Sequence, residues 1–506
     1  MIPVTKPYLP NREKLNQYID GIYERNWLTN NGPLVQELTQ RLESYLGVEN
    51  LLLVSNGTLA LQVAYHALGI TAADKPEALT TPFTFIATAS SLKWQGVEPI
   101  FADIDADTWC LDPAKIEDKI TVNTKAIVPV HVFGNACDVE AIDTIAQKYN
   151  LKVIYDAAHA FGVTFKDKSL LSYGDAATLS FHATKLFHSI EGGAIVFKHK
   201  EDLERAKKAI NFGIVGPEEI DSLGINAKMN EFQAAMGLCV LDELESNLNS
   251  RSKVWNTYAE ALGSHYQLQK LHPEIQYNYA YFPIVFDTDE KATQVLNVLK
   301  ENDVIARRYF FPSLDTIEYF QLRTYQPISK DIASRILCLP IYSGINKEQL
   351  NKIIYLVNSS TIDVKTNKIS TEKLYNYLNT IDADFSPKLS SRIELYELAE
   401  KINKLGHYHY IYDDNNNISA FLSYYLNDEY AYINIVHVDP ISRGKGLGNK
   451  ILESMILSTK NSKCKLIKLE VSKSNTAALK LYKSFGFIES EIKNAHKTKV
   501  YLEKHL

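Results

Sequence analysis

Between residues 50 and 200, short apolar runs alternate with stretches whose apolar positions recur at helical spacing. The runs Leu51–Val54, Ala78–Thr81, Pro99–Asp103, Ala126–His131, Lys152–Asp156, Ala177–Phe181 and Gly193–Phe197 predict strands, with helices such as Thr58–Leu68 and Asp138–Tyr149 between them. Strands alternating with helices predict an α/β unit built on a mostly parallel sheet. Residues 200–250 predict helices interrupted across Gly213–Gly224, and residues 251–356 return to mixed α/β patterning. The stretch VNSSTIDVKTNKIS (357–370) is polar without an apolar period and predicts a linker. Beyond it, residues 371–506 predict a second, smaller domain. Its strands are Tyr408–Tyr412, Ile418–Tyr425 and Tyr430–Val438, then a glycine-rich turn, the helix Asn449–Ser458 and the strand Leu466–Val471.

Composition changes this picture little. The 506 residues exceed one ordinary hydrophobic core, in keeping with two domains. No run approaches the roughly 18 apolar residues of a membrane helix. The opening MIPVTKPYLPNREK lacks a signal peptide's apolar core, so the expected location is the cytosol. Five scattered cysteines show neither a disulfide framework nor metal-ligand spacing, and no metal is expected. Charge is more informative. The net −6 conceals 21 basic against 17 acidic residues from Thr361 onward, and 14 against 5 from Ile441 onward. That excess is either a solvated basic face or a site for a polyanion.

Three features suggest chemistry in the first domain. Lys185 lies among His182, Thr184 and His188, between two apolar strands, in LSFHATKLFHSIEGGAIVF (179–197). Asp156 ends a strand at the edge where open α/β sheets bind ligands, although capping of the next helix explains it equally well. Asn56-Gly57-Thr58 joins a strand to a helix, where backbone N–H groups suit a phosphate or merely a cap. A lysine amine able to form a Schiff base, an acid and a phosphate cradle together match the needs of pyridoxal 5'-phosphate.

The segments WLTNNGP (27–33), SNGTLAL (55–61), TPFTFIATA (81–89), PVHVFGNACDVEAI (129–142), YDAAHAFG (155–162), SFHATK with EGG, and GINAKMNEFQAAMGL (224–238) occur in that order. In them the chain, from about residue 1 to 355, resembles the sugar-nucleotide aminotransferases of the DegT/StrS type, which have the fold-type-I architecture. The resemblance implies that Lys185 is the Schiff-base lysine and proton shuttle, that Asp156 pairs with the pyridine nitrogen, and that His159 lies near the phenolic oxygen. It further implies that Phe85 stacks on the ring and that Gly57, Thr58 and Ser180 hold the phosphate. Asn226 would reach that phosphate from a partner subunit, giving a homodimer with shared active sites. Trp27–Gly32 and Arg307–Phe311 are expected near the sugar nucleotide. Related dehydratases have histidine at the Lys185 position, so lysine implies transamination, with glutamate as amino donor. The AAHA and SFHATK contexts are most similar to enzymes aminating C4 of a dTDP-4-keto-6-deoxyhexose.

In the second domain, Ile433–Val438 leads through Asp439-Pro440-Ile441-Ser442 into Arg443-Gly444-Lys445-Gly446-Leu447-Gly448 and a helix. Glycines between strand and helix allow N–H groups to wrap a phosphate, or simply make a tight turn. With Leu466–Val471, Ser474-Asn475-Thr476-Ala477-Ala478 and Leu481–Phe487, residues 370 to 506 resemble the GNAT-type N-acetyltransferases. That resemblance implies acetyl-CoA as cosubstrate, its pyrophosphate on Arg443–Gly448 and its pantetheine arm along the strand ending at Val438. Asn475 would approach the cofactor, and Tyr482 would be the general acid for the departing thiolate, against a core aromatic as the plainer alternative. His437 is the nearest titratable candidate for a general base on that strand, with a satisfied strand histidine as the equally good plainer alternative. The expected first strand is hard to find before Leu389.

The expected whole is a bifunctional enzyme. One half installs an amine on a nucleotide sugar and the other acetylates it, for surface polysaccharide or O-antigen synthesis. Neither nucleic acid nor membrane is an expected partner. Two alternatives remain: amination at C3 or of a UDP sugar, and a second domain that binds CoA as a regulator or acylates a different amine.

Overall fold

The seven apolar runs of the first 200 residues assemble into one sheet of β1 (Leu51–Val54), β2 (Glu77–Thr80), β3 (Glu98–Phe101), β4 (Thr124–Val128), β5 (Lys152–Asp156), β6 (Ala176–Ser180) and β7 (Gly193–Phe197). Their order across the sheet is β1-β7-β6-β5-β4-β2-β3. The pairs from β6 through β3 are parallel, while β7 runs antiparallel to both of its neighbours. Period-two alternation divides the side chains between two cores. Leu51, Leu53, Leu79, Val153 and Tyr155 enter one; Leu52, Val54, Ala78 and Ile154 enter the other. Burial on both faces is why these strands read as continuous apolar runs rather than alternating ones.

The computed structural model describes residues 1–506 except Ala73, 321–325, Asp414, Asn461, Lys463 and 491–497. The chain divides into two units, Met1–Ile354 and Tyr355–Leu506. In the first, α1 (Pro33–Leu46), α2 (Gly57–Ala67), α3 (Ile86–Trp94) and α4 (Val139–Tyr149) follow the sequence pattern, and α5 (Glu231–Asp242) leads into α6 (Leu244–Leu262). The glycine-marked interruption after residue 210 is a small hairpin, Ile214–Gly216 with Glu219–Ile220. A three-stranded antiparallel sheet, Gln267–Leu268, Pro283–Val285 and Ile336–Cys338, accounts for the mixed pattern of residues 251–356.

Of residues 357–370, expected as a linker, the first part continues helix α7 (Lys347–Thr361). Lys365 then pairs with Tyr410, its N–H and C=O both bonded at 2.8 and 2.9 Å. This bridge precedes Leu389 and lies against Tyr410, the position expected of a first strand in the second unit. The surrounding Asp363–Asn367 has no apolar alternation to announce it.

The second unit carries the sheet β8 (His407–Tyr412), β9 (Ile418–Leu426), β10 (Tyr430–Val438), β11 (Leu466–Ser472), β12 (Ile488–Glu489) and β13 (Lys499–His505), in the order β8-β9-β10-β11-β13-β12. Helices α8 (Thr371–Ile381) and α9 (Leu395–Leu405) cover one face through Leu374, Tyr377, Leu398 and Ile402 against Tyr408, Phe421 and Ile435. Helices α10 (Leu447–Lys460) and α11 (Thr476–Ser484) cover the other through Ile451, Met455 and Tyr482 against Leu422, Ile433 and Leu469. Strands β10 and β11 are parallel and pair only over Tyr430–Tyr432 with Leu466–Lys468. Tyr424 pairs with Ile433 and Ser423 with Ile435, so Asn434 is an extra residue, a β-bulge. A bulge bends its strand. Here it also turns Ile435 toward the α8–α9 core, whereas Ala431 and Ile433 face the α10 core.

Candidate active sites

The first site forms where the carboxyl ends of β1, β5 and β6 meet the start of β7. Close approach at this edge requires glycine twice. A Cβ on Gly57 would sit 2.8 Å from the Ser180 Cβ, and one on Gly193 would sit 2.7 Å from the Asn56 carbonyl carbon. Asn56 caps α2 by accepting from Leu59 N at 2.9 Å, which leaves the N–H groups of Gly57 and Thr58 at the open first turn beside Ser180. Helix N-terminus, hydroxyl and backbone donors thus converge, as an anion cradle requires.

Asp156 is buried at the end of β5. Its Oδ2 accepts from Thr88 Oγ1 at 2.7 Å and its Oδ1 from Ala158 N at 3.1 Å. Burial raises its carboxyl above the usual range, opposed by Thr88, Ala158 and the charge on Lys185. Lys185 lies in the β6–β7 connection and donates to Tyr281 Oη at 3.2 Å. Burial lowers its amine to about 8, against the opposing pull of Asp156 and Tyr309, so far more of it is unprotonated near neutrality than of an exposed lysine. His159 accepts from Phe133 N through Nδ1 at 3.2 Å and stacks against the rings of Phe133 and Phe310. Burial, then Lys185, holds its imidazole well below the usual range. A neutral ring that accepts at Nδ1 keeps its proton on Nε2 and is a donor there. Ala158, His159, Ser180, Lys185 and Tyr281 line one cavity.

Phe85 is 57% exposed at the N-cap of α3. Asn226 is exposed and bridges Asn211, one residue before Ala227, whose carbonyl accepts from Ser55 N. His188, prominent in the sequence, is structural: Nε2 meets the Tyr8 carbonyl at 2.7 Å and Nδ1 accepts from Ile190 N. Thr88 and Tyr281 were not singled out from sequence. Thr88 sits inside the quoted TPFTFIATA segment but reads as an ordinary helix residue, and Tyr281 lies 96 positions from its lysine.

In the second unit, Gly444 and Gly446 adopt φ of +84° and +81°, the left-handed region in which glycine is favoured. They turn the chain into α10, whose first turn holds Leu447 and Gly448. Arg443 and Lys445 are exposed on this turn, and Arg443 Nε donates to the Val438 carbonyl at 3.1 Å. From Ile433 to Val438, β10 has no pairing partner on its β11 side among the described residues. Asn475 caps α11 by accepting from Ala478 N at 3.1 Å. Tyr482 is 5% exposed, packed edge-on to Phe487, and burial raises its phenol above the usual range.

Residues 10–358 match the sequence model of the DegT/DnrJ/EryC1/StrS aminotransferase family. The chain belongs to that family. It is 42% identical over 358 residues to the dTDP-4-amino-4,6-dideoxy-D-glucose transaminase of Shigella dysenteriae, covering 69% of this chain and 96% of that one. The GDP-perosamine synthase of Escherichia coli O157:H7 is 31% identical over 360 residues, covering 71% and 97%. Among solved structures, DesI in the presence of its TDP-sugar product superposes with a TM-score of 0.67 at 31% identity, over 71% of this chain and 93% of that one. Residues 374–487 match the acetyltransferase (GNAT) family.

The chain is therefore a fold-type-I aminotransferase of the DegT family fused to a GNAT acetyltransferase, and it uses pyridoxal 5'-phosphate and acetyl-CoA. The residues present fit the first cofactor: a glycine-made cradle for its phosphate, a buried carboxylate for its ring nitrogen and an amine of lowered basicity for its aldehyde. Pyridoxal phosphate, when bound, supplies the electron sink for the carbon that gains or loses nitrogen. The bulge, the unpaired edge of β10 and the glycine turn fit a thioester with a long arm and a pyrophosphate. Among the described residues no group of three or more His, Cys, Asp or Glu could hold a metal ion. All five cysteines are buried and unpaired. No helix among the described residues is long and apolar enough to cross a membrane.

Proposed function

We propose that the first unit transfers the amino group of glutamate to C4 of a dTDP-4-keto-6-deoxyhexose and that the second acetylates the resulting amine, forming a 4-acetamido-4,6-dideoxyhexose nucleotide for surface polysaccharide. The observation that carries this is the pairing of chemistries in one chain. Lys185 and Asp156 equip a site that makes an amine, and a thioester-binding unit able to consume an amine follows it. The dTDP linkage and the C4 position rest on the Shigella relative, whose identity exceeds that of the GDP-perosamine synthases.

In this proposal Lys185 carries the proton between nitrogen-bearing carbon and solvent-shielded amine, which its basicity near neutrality suits. Asp156, whose charged form Thr88 and Ala158 favour against burial, would keep the ring nitrogen protonated, and His159 Nε2–H would face the phenolic oxygen. Gly57, Thr58 and Ser180 would hold the phosphate, with Asn226 of a second copy completing the cradle. Exposed Ile214, Ile220 and Leu223 near Asn226 support a dimer through that region. Gly444–Gly448 would wrap the CoA pyrophosphate, and Tyr482 would donate to the departing thiolate. The nucleotide of the keto sugar, its acceptor carbon and the acetylated position are tested together. Supplying dTDP-4-keto-6-deoxyglucose, glutamate, pyridoxal phosphate and acetyl-CoA must give a product heavier than the amino sugar by one acetyl group, with the amide at C4 by NMR. An amine at C3, or an amino sugar left unacetylated, overturns the corresponding half.

A further inference from the structure

Strand β10 carries a side chain that the cofactor sites leave unused. His437 is one residue before Val438, inside the stretch of β10 that β11 leaves unpaired, and is 6% exposed. The bulge at Asn434 turns this part of the strand toward α8 and α9. There both ring nitrogens find partners on separate elements: Nδ1 lies 2.9 Å from Tyr377 Oη on α8, and Nε2 lies 2.9 Å from Asp384 Oδ2 in the turn Asp382–Asp384 after α8. An ionised carboxylate can only accept, so Nε2 carries the hydrogen, and in the neutral ring Nδ1 then accepts from the tyrosine hydroxyl. The chain of bonds has a direction: Tyr377 O–H to Nδ1, then Nε2–H to Asp384. It ends on a carboxylate whose side chain is 35% exposed. A histidine serving only to fill the core has no need to pin an exposed acid beside an open strand edge.

We propose that Asp384 binds and deprotonates the acceptor ammonium of the acetyltransferase unit, with His437 and Tyr377 as positioning residues that hold its carboxylate. This rests on the reading that the acceptor is the amine made by the first unit. The ammonium donates an N–H to the free edge of the Asp384 carboxylate and loses that proton to it as nitrogen bonds to the thioester carbonyl carbon. The C–S bond then breaks, the sulfur leaves with the electron pair and takes the Tyr482 hydroxyl proton, and the second proton leaving the nitrogen restores that hydroxyl. Asp384, facing solvent, releases its proton to water. One ammonium and one thioester give one amide, one thiol and one proton.

The titratable groups around the pair are Tyr377 on α8, Asp439 after β10, Lys388, and Asp382 in the same turn, held by Ser390 N and Oγ at 2.8 and 2.7 Å. The test uses the full-length chain and supplied dTDP-4-amino-4,6-dideoxyglucose, with thiol release followed against acetyl-CoA. Asp384→Asn is expected to lower kcat/KM for the amine about a hundredfold at pH 7, leave the KM for acetyl-CoA and calorimetric CoA binding unchanged, and recover as pH rises through the amine's own pKa. His437→Phe should show the same loss, and His437→Gln, whose amide N–H can still donate to Asp384, should restore most of it. Wild-type kcat/KM in Asp384→Asn, or a deficit that does not change with pH, overturns the assignment. A wild-type enzyme that releases no thiol with this sugar overturns the acceptor reading instead. The same comparison on ethylamine then decides Asp384, with the pH-dependent deficit required and its absence fatal.

Discussion

Thr88→Val tests how the pyridine-binding acid is kept charged. The substitution is nearly isosteric and deletes one atom's chemistry, the hydroxyl that donates to Asp156 Oδ2 at 2.7 Å. Asp156 then retains only the Ala158 N–H at 3.1 Å. A hydrogen bond to a charged group contributes about 1.5–3 kcal/mol, which corresponds to roughly a ten- to hundredfold loss in affinity for a cofactor that needs the ionised acid. The sign follows from the structure. Burial raises the Asp156 carboxyl, and Thr88 is the largest opposing influence. Removing Thr88 raises it further, so the variant loses pyridoxal phosphate at a higher pH than wild type as the solution is acidified. Cofactor binding is followed by titrating apoprotein and reading the absorbance of the lysine-bound form, at several pH values. Thr88→Ser should restore most of the affinity because it returns the donor. Wild-type affinity and pH dependence in Thr88→Val would refute the reasoning, since Asp156 would then be held by other means.

Three further outcomes follow from the same geometry. Lys185→Ala should abolish cofactor-linked absorbance and transamination while leaving thiol release with a supplied amino sugar intact; in wild-type apoprotein, the rate of pyridoxal phosphate attachment should rise with pH through a midpoint of about 8, where half of the amine is free, and level off above it. Gly193→Ala places a Cβ 2.7 Å from the Asn56 backbone, an overpacking that costs about 1–3 kcal/mol, read as a lowered Tm by calorimetry. Tyr482→Phe keeps the ring that fills the core against Phe487 and removes only the hydroxyl, so folding should be unchanged while acetyl transfer falls about a hundredfold; unaltered thiol release would make Tyr482 a core residue alone.

Much of the first site was legible because its chemistry sits at strand ends. Asp156, Ser180 and Gly57 each follow an apolar run long enough to place, and Lys185 stands out where a surface residue has no reason to be. What escaped was set by tertiary contact. Tyr281 reaches Lys185 from 96 positions away, and Thr88 reaches Asp156 from 68 positions away, with no local signal in either. The bulge at Asn434 is hidden for a different reason. Ala431, Ile433, Ile435 and His437 are all buried in unbroken alternation, yet the extra residue sends the first two to one core and Ile435 to the other. A period-two pattern cannot reveal a change of face when both faces are covered. Asp384 is equally silent, an acid after a helix until His437, 53 positions on, is found bonded to it.

In the proposed function, nitrogen placed by one unit receives the acetyl group handled by the other. It is tested most directly by incubating the full-length enzyme with dTDP-4-keto-6-deoxyglucose, [15N]glutamate and acetyl-CoA labelled with 13C at the carbonyl, then recording the NMR spectrum of the product sugar. A one-bond 13C–15N coupling in an amide at C4 is expected. A 15N-labelled amino sugar without that coupling, with the 13C remaining on CoA or released as acetate, would contradict it.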